Sequence, residues 1–275
     1  MLKFKNGFIR LICAMVLFSV AVCTNAYAAD DCDRECLLDM MSTYLEALVK
    51  NNPDMLPVSD SVKYTVDGVV SELGGGLWDT AVRVDPKTRL DFADPVLGNV
   101  ASQLVIKAKE GEEGEVIKVL YQVRLKVADG EITEIETMVL KMFWPRGMIP
   151  EPVFMETPEN PMSREELLEV MDLYVDYLEG TVKGKDMPFD ENCARYENGI
   201  VTAKGLAAFK LQSFWRFDVT RRYLVVDEEQ GIVWGMLPFS QHKTTLVVGE
   251  AFKIVDGKIM MIQAVMKVMP SKAWD

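Results

Sequence analysis

The sequence predicts an α+β fold built twice: two tandem cone-shaped units, each with helices packed in a curved, mostly antiparallel sheet. Three observations carry this. Short segments recur in the same order at a spacing near 130 residues, an amphipathic helical pattern opens each copy, and alternating strands around a tight turn close each one.

The recurrence has three blocks. Tyr64-Thr65-Val66-Asp67-Gly68-Val69-Val70 aligns with Arg195-Tyr196-Glu197-Asn198-Gly199-Ile200-Val201. Tyr44 aligns with Tyr174, and Lys126-Val127-Ala128-Asp129-Gly130-Glu131-Ile132 aligns with Lys253-Ile254-Val255-Asp256-Gly257-Lys258-Ile259. The opening helices bury Leu37, Met41, Tyr44, Leu45 and Leu48, then Leu167, Met171, Tyr174, Val175 and Leu178, at spacings of three and four. Ser163 and Glu166 have capping-box spacing and start the second helix.

The strands alternate. Val119, Tyr121, Val123, Leu125 and Val127 share one face, with Gln122, Arg124 and Lys126 on the other, ahead of a hairpin turn at Asp129-Gly130. Asp256-Gly257 is the matching turn, and a further hairpin spans Arg221 to Phe239. Pro145, Pro150, Pro152, Pro158 and Pro161 mark an extended linker. The expected organisation is a leader at 1–28, a first repeat at 29–145, a linker at 146–162 and a second repeat at 163–275. A strand sheet curled around a helix leaves a cavity at the open end of the cone.

Lys3, Lys5 and Arg10 precede an apolar run from Leu11 to Val22, and Ala26-Tyr27-Ala28 has the form cut by signal peptidase. The run is too short for a spanning helix, which needs roughly 20 residues. A secreted or periplasmic protein is expected. The full chain has 30 basic and 42 acidic residues. Such a charge repels phosphate backbones and argues against nucleic-acid or anionic-membrane partners.

Outside the cytoplasm disulfides are permitted. Cys193 could bridge to Cys32 or Cys36, or simply be buried, whereas a Cys32–Cys36 bridge is disfavoured if both lie on one helix.

The helix-first order, Asn198-Gly199, the hairpin from Arg221 through Gly231 and the closing Asp256-Gly257 turn resemble the nuclear transport factor 2-like superfamily, which includes SnoaL-like cyclases and ketosteroid isomerases. Cys32-Asp33-Arg34-Glu35-Cys36-Leu37 and Gly74-Gly75-Gly76-Leu77-Trp78 further resemble a family of exported two-repeat proteins of fungi and bacteria. The resemblance implies the doubled cone. It transfers no catalytic signature onto these residues.

Differences between the copies point to chemistry. Glu250 stands where the first copy has Val123, in a row otherwise apolar; buried there, its pKa would rise toward the range of a general acid or base. His242, the one histidine, has a suitable pKa for proton transfer. Arg195 replaces Tyr64, and with Arg222 is a candidate for holding an oxyanion, unless paired with Asp227, Glu197 or Asp190. Asn198, Tyr174 and Trp215 complete the candidate binding set. Glu72, Trp78 and Gly74 to Gly76 form an odd cluster, read as a loop with a core tryptophan, and Glu134 and Glu136 read as solvated.

One histidine and scattered cysteines make no zinc or haem site, and phosphate-loop, dinucleotide and Gly-x-Ser-x-Gly motifs are absent from the sequence. The expectation is therefore a site with no metal and no cofactor, acting as an isomerase, lyase or dehydratase on a small apolar carbonyl or hydroxyl compound. The alternatives are an apolar-ligand carrier and an envelope interaction protein. The two units are expected to form an internal pseudo-dimer, monomeric in solution.

Overall fold

A computed structural model describes residues 32–111, 113–141, 152–211, 218–241 and 244–270. The leader at 1–28, most of the linker's first half, Trp215 and His242 lie outside the described residues.

The first unit opens with α1 (Arg34–Val49), whose predicted apolar face is buried at every position. Then come β1 (Val58–Val66), β2 (Val69–Val70), the one-turn α2 (Leu77–Thr80), β3 (Ala81–Asp94), β4 (Asn99–Glu110), β5 (Glu115–Ala128) and β6 (Glu131–Lys141). The second has α3 (Arg164–Leu178), β7 (Phe189–Glu197), β8 (Ile200–Lys204), α4 (Leu206–Leu211), β9 (Asp218–Val219), β10 (Tyr223–Asp227), β11 (Ile232–Gln241), β12 (Thr244–Val255) and β13 (Lys258–Pro270).

The sheets run β2-β1-β6-β5-β4-β3 and β8-β7-β13-β12-β11-β10, with β9 added beside β11. Both are mostly antiparallel, and in both the first long strand pairs parallel with the last, β1 with β6 and β7 with β13. The doubled α+β architecture expected from the sequence is thus present.

Local chemistry explains the boundaries. Ser163 Oγ accepts from Glu166 N at 3.3 Å while the Glu166 carboxylate accepts from Ser163 N at 2.8 Å, which is the capping box. At both closing hairpins the two turn residues have positive φ, 54° and 77° at Asp129-Gly130 and 50° and 72° at Asp256-Gly257. That backbone twist matches paired strands, and Asp-Gly adopts it at low cost.

Each opening helix lies in the hollow of its own sheet, giving two separate cores. A third core forms where the outer faces of the sheets meet, around Phe92, Val105, Leu120, Trp234, Val247 and Val265. At its centre Gln122 Oε1 accepts from Gln103 and from the Trp234 indole at 3.1 and 3.2 Å, and Gln122 Nε2 donates to the Gly249 and Val265 carbonyls, both at 3.2 Å.

The ends of this interface mirror one another. Asp94, at the end of β3, accepts from Val226 N at 3.0 Å and pairs with Arg164 at the start of α3. Asp227, at the end of β10, accepts from Ala93 N at 3.1 Å and pairs with Arg34 at the start of α1 at 2.9 Å. Such reciprocity is that of an isologous contact closed within one chain.

Three expectations are corrected. Cys32 and Cys36 are bridged, with Cα atoms 5.1 Å apart, and Cys193 is a buried free thiol. Cys32 precedes the Asp33 N-cap in extended backbone, so the two cysteines do not share helical geometry. The linker is not simply extended: Pro152–Met155 forms a 3-10 turn, Phe154 is buried in the third core, and the Lys253 ammonium donates to the Glu156 and Gln230 carbonyls. Glu136 is buried rather than solvated, between Arg124 at 3.2 Å and Arg222 at 2.8 Å.

Candidate functional site

The register of β12 decides the site. Ladder pairs Gly235 and Ala264 flank Glu250, whereas Ser102 and Thr137 flank Val123 on β5. Small neighbours leave space beside the carboxyl group. Glu250 is 3% exposed and points into the hollow of the second cone.

There it lines a cavity of about 120 Å³ with Tyr174 of α3, Arg195 and Glu197 of β7, and apolar walls that include Phe239, Leu246, Val248 and Met266. The Tyr174 hydroxyl donates toward Glu250 Oε1 over a long 3.4 Å. Arg195 is nearly buried; its Nε contacts Glu197 at 3.1 Å and Thr202 at 3.2 Å, and its guanidinium lies 5.9 Å from the Phe209 ring centre.

Burial dominates the electrostatics. It pushes the Glu250 carboxyl up to about 8, with Glu197 adding to the rise while Arg195 and the Tyr174 hydroxyl oppose it. The Tyr174 phenol is also held well above its ordinary range, first by burial and then by Glu250. Burial works against the Arg195 charge, but Tyr174, Glu197 and Glu250 around it prevail and raise its pKa. A neutral carboxyl and a fixed cation thus share one small, mostly apolar space at neutral pH.

The first cone is filled at the same depth. Tyr64 stands in place of Arg195, Val123 in place of Glu250, and Tyr121 where the second cone has Val248. Tyr121 and Tyr44 share a hydroxyl hydrogen bond of 2.7 Å, and the buried Trp78 ring packs edge-on to Tyr44 at 5.6 Å. Trp78 is therefore core, as read.

Of the predicted residues, the structure brings Glu250, Arg195 and Tyr174 together. It places two elsewhere. Arg222, just before β10, is held by Glu136 of β6 through two hydrogen bonds of 2.8 Å across the interface between the units. Asn198, at φ 50°, bonds Met266 N and O at 2.9 and 3.1 Å and pins the β7–β8 turn to β13. Asp67 holds the first unit's turn in the same way through Val139 N at 3.0 Å.

The sequence offered Glu197 as an ion-pair partner of Arg195, which the 3.1 Å contact shows, but gave no sign that it, Phe239 and Leu246 line the cavity. Cys193 lies outside the cavity wall, and burial pushes its thiol up to about 12. Among the described residues no three His, Cys, Asp or Glu side chains converge on a metal position.

A family model described as a domain of unknown function (DUF8021) matches residues 160–266, essentially the second unit. Among curated proteins none matches the chain. Similar solved structures include a candidate ketosteroid isomerase from Kribbella flavida, at 15% identity over 38% of this chain and 78% of that one, TM-score 0.32. A candidate polyketide cyclase from Xanthomonas campestris is 16% identical over 38% of this chain and 90% of its own, TM-score 0.33. A de novo designed protein with a curved β-sheet is 17% identical over 38% of this chain and 88% of its own, TM-score 0.32. Each likeness extends over 38% of this chain.

Proposed function

We propose that the second cone is a cofactor-independent proton-transfer site for a small apolar carbonyl or hydroxyl compound, of isomerase, dehydratase or lyase type. The observation that carries the reading is Glu250, a buried carboxyl group in a cavity beside Arg195 and Tyr174. A cavity of about 120 Å³ is close to the ~150 Å³ that admits a benzene-sized guest.

The chemistry runs through the chain's own groups. Ionised Glu250 removes a proton from the carbon next to the carbonyl. The C–H electron pair becomes the enolate C=C bond, and the carbonyl π pair moves to oxygen, where Arg195 and the Tyr174 hydroxyl stabilise the charge. The glutamic acid then returns the proton to a different carbon, or to a leaving hydroxyl group, so no external oxidant or reductant is needed. Apolar walls keep water from competing.

Export belongs to the same reading. The Cys32–Cys36 disulfide supports an oxidising compartment. The shared strand order and reciprocal interface contacts support origin by internal duplication.

Deuterium uptake from heavy water into a panel of small ketones and aldehydes tests the reaction class. Wild type is expected to exchange α-protons of at least one probe, faster as pH rises through 8. Glu250→Gln should slow this by roughly 10²-fold or more. Equal exchange by wild type and Glu250→Gln, or none above solvent background, would leave the cone a binding pocket only.

A further inference from the structure

We infer that Glu197 is a positioning residue for the reaction proposed above, holding the Arg195 guanidinium in place and balancing its charge against Glu250. This role rests on the proton-transfer reading and adds one residue to it.

Strand register puts the groups together. Ala264 of β13 pairs with Glu250 of β12 on one side and with Glu197 of β7 on the other. Residues paired across strands project from the same face. Two carboxyl groups therefore stand in one row, roughly 10 Å apart at the backbone, with one methyl group between them. Arg195 lies two positions before Glu197 and shares that face. In the first unit the same row is Val123, Thr137 and Val66, with Tyr64 two positions before Val66. The acid, the cation and the second acid are thus features of the second cone alone.

Glu197 is anchored for the task. Asn198, the next residue, donates its N–H to the Ala264 carbonyl at 2.9 Å, and its side chain clamps Met266 N and O. That fixes the Glu197 backbone beside β13. From there the carboxylate contacts Arg195 Nε at 3.1 Å, while Thr202 Oγ1 accepts from the same nitrogen at 3.2 Å. The Tyr174 hydroxyl links the cation to the acid: it hydrogen-bonds with Arg195 and donates toward Glu250.

Among the described residues, the titratable groups facing Glu250 are Tyr174 from α3 and Arg195 and Glu197 from β7; β11 and β13 present Gly235, Phe239, Ala264 and Met266. Arg195 favours the ionised form of Glu250, and Glu197 favours the protonated form. With Glu197 neutralised, Glu250 would be the one acid in the cavity wall left to balance the cation. Glu197 thus spares Arg195 for a developing oxyanion and leaves Glu250 its proton.

Carboxyl ¹³C NMR of the glutamate-labelled chain tests this, because it reads Glu250 without any substrate. Glu197→Gln is expected to lower the Glu250 titration midpoint by on the order of one pH unit or more, and to move the pH profile of α-proton exchange the same way. Glu197→Asp keeps the charge and should keep most of the wild-type midpoint. The double variant Glu197→Gln/Arg195→Gln leaves no unbalanced cation and should titrate at or above wild type, which keeps the role testable if the single variant fails to fold. A Glu197→Gln midpoint unchanged near 8, or a double variant titrating below wild type, would overturn the role of Glu197 and leave Glu250 as the proton carrier. A wild type in which every glutamate titrates below about pH 6 would overturn both.

Discussion

A carboxyl group in an apolar hollow must be neutral, paired or costly, and Glu250 combines the first two. Its folded-state pKa of about 8 lies above the ~4.3 of an unfolded glutamate. The folded chain therefore keeps a proton that the unfolded chain releases. The stability linked to that proton is complete below about pH 4, falls as pH rises toward 8, and stays level above it. The steepest loss is roughly 1.4 kcal/mol per pH unit. Glu250→Val installs the first unit's residue and removes this slope. Thermal unfolding across pH 5 to 9 should show the variant gaining on wild type as pH rises, by a few kcal/mol in all, on the order of that slope summed over the window. A constant difference across the range would mean that Glu250 is ionised in the folded protein.

At the scale of elements, β12 does two jobs. One face lines the second cone and the other packs on the first sheet, and Gly249 sits at that crossing. A Cβ on Gly249 would come within 2.1 Å of Gln122 Oε1. The amide is the end of a flexible side chain, but it makes four hydrogen bonds and cannot leave without stranding buried partners. Gly249→Ala should therefore cost roughly 1–3 kcal/mol in urea unfolding. Adding Gln122→Ala should recover part of that loss, because the clash and the network share one side chain. Simple additivity would contradict the packing described.

Much at this scale was legible in the sequence. The faces of α1 and α3, the Ser163 cap and both Asp-Gly turns follow from local periodicity and backbone preference, and Glu250 stood out because the position aligned with it in the first unit, Val123, is apolar. The long-range pairings did not show. Nothing near Arg222 names Glu136, 86 residues away, as its partner, since sheet-to-sheet contacts depend on register in three dimensions. The Cys32–Cys36 bridge was hidden because it turned on whether α1 begins before or after Cys32.

For the whole molecule, the outer face of each sheet is spent on the other, so the surface that a single cone would offer a partner chain is already covered. Light scattering on the chain lacking residues 1–28 should accordingly give the mass of one copy; twice that mass would show a further interface. Within this frame the two hollows differ, the first filled at depth by aromatic rings and the second lined there by an acid.

That difference has a direct spectroscopic readout. Carboxyl ¹³C NMR on glutamate-labelled protein should show one side chain titrating near pH 8, about four units above the ordinary glutamate range, and Glu250→Gln should remove it. If every glutamate titrates below about pH 6, the second cone holds no neutral acid, and the proton-transfer account is contradicted.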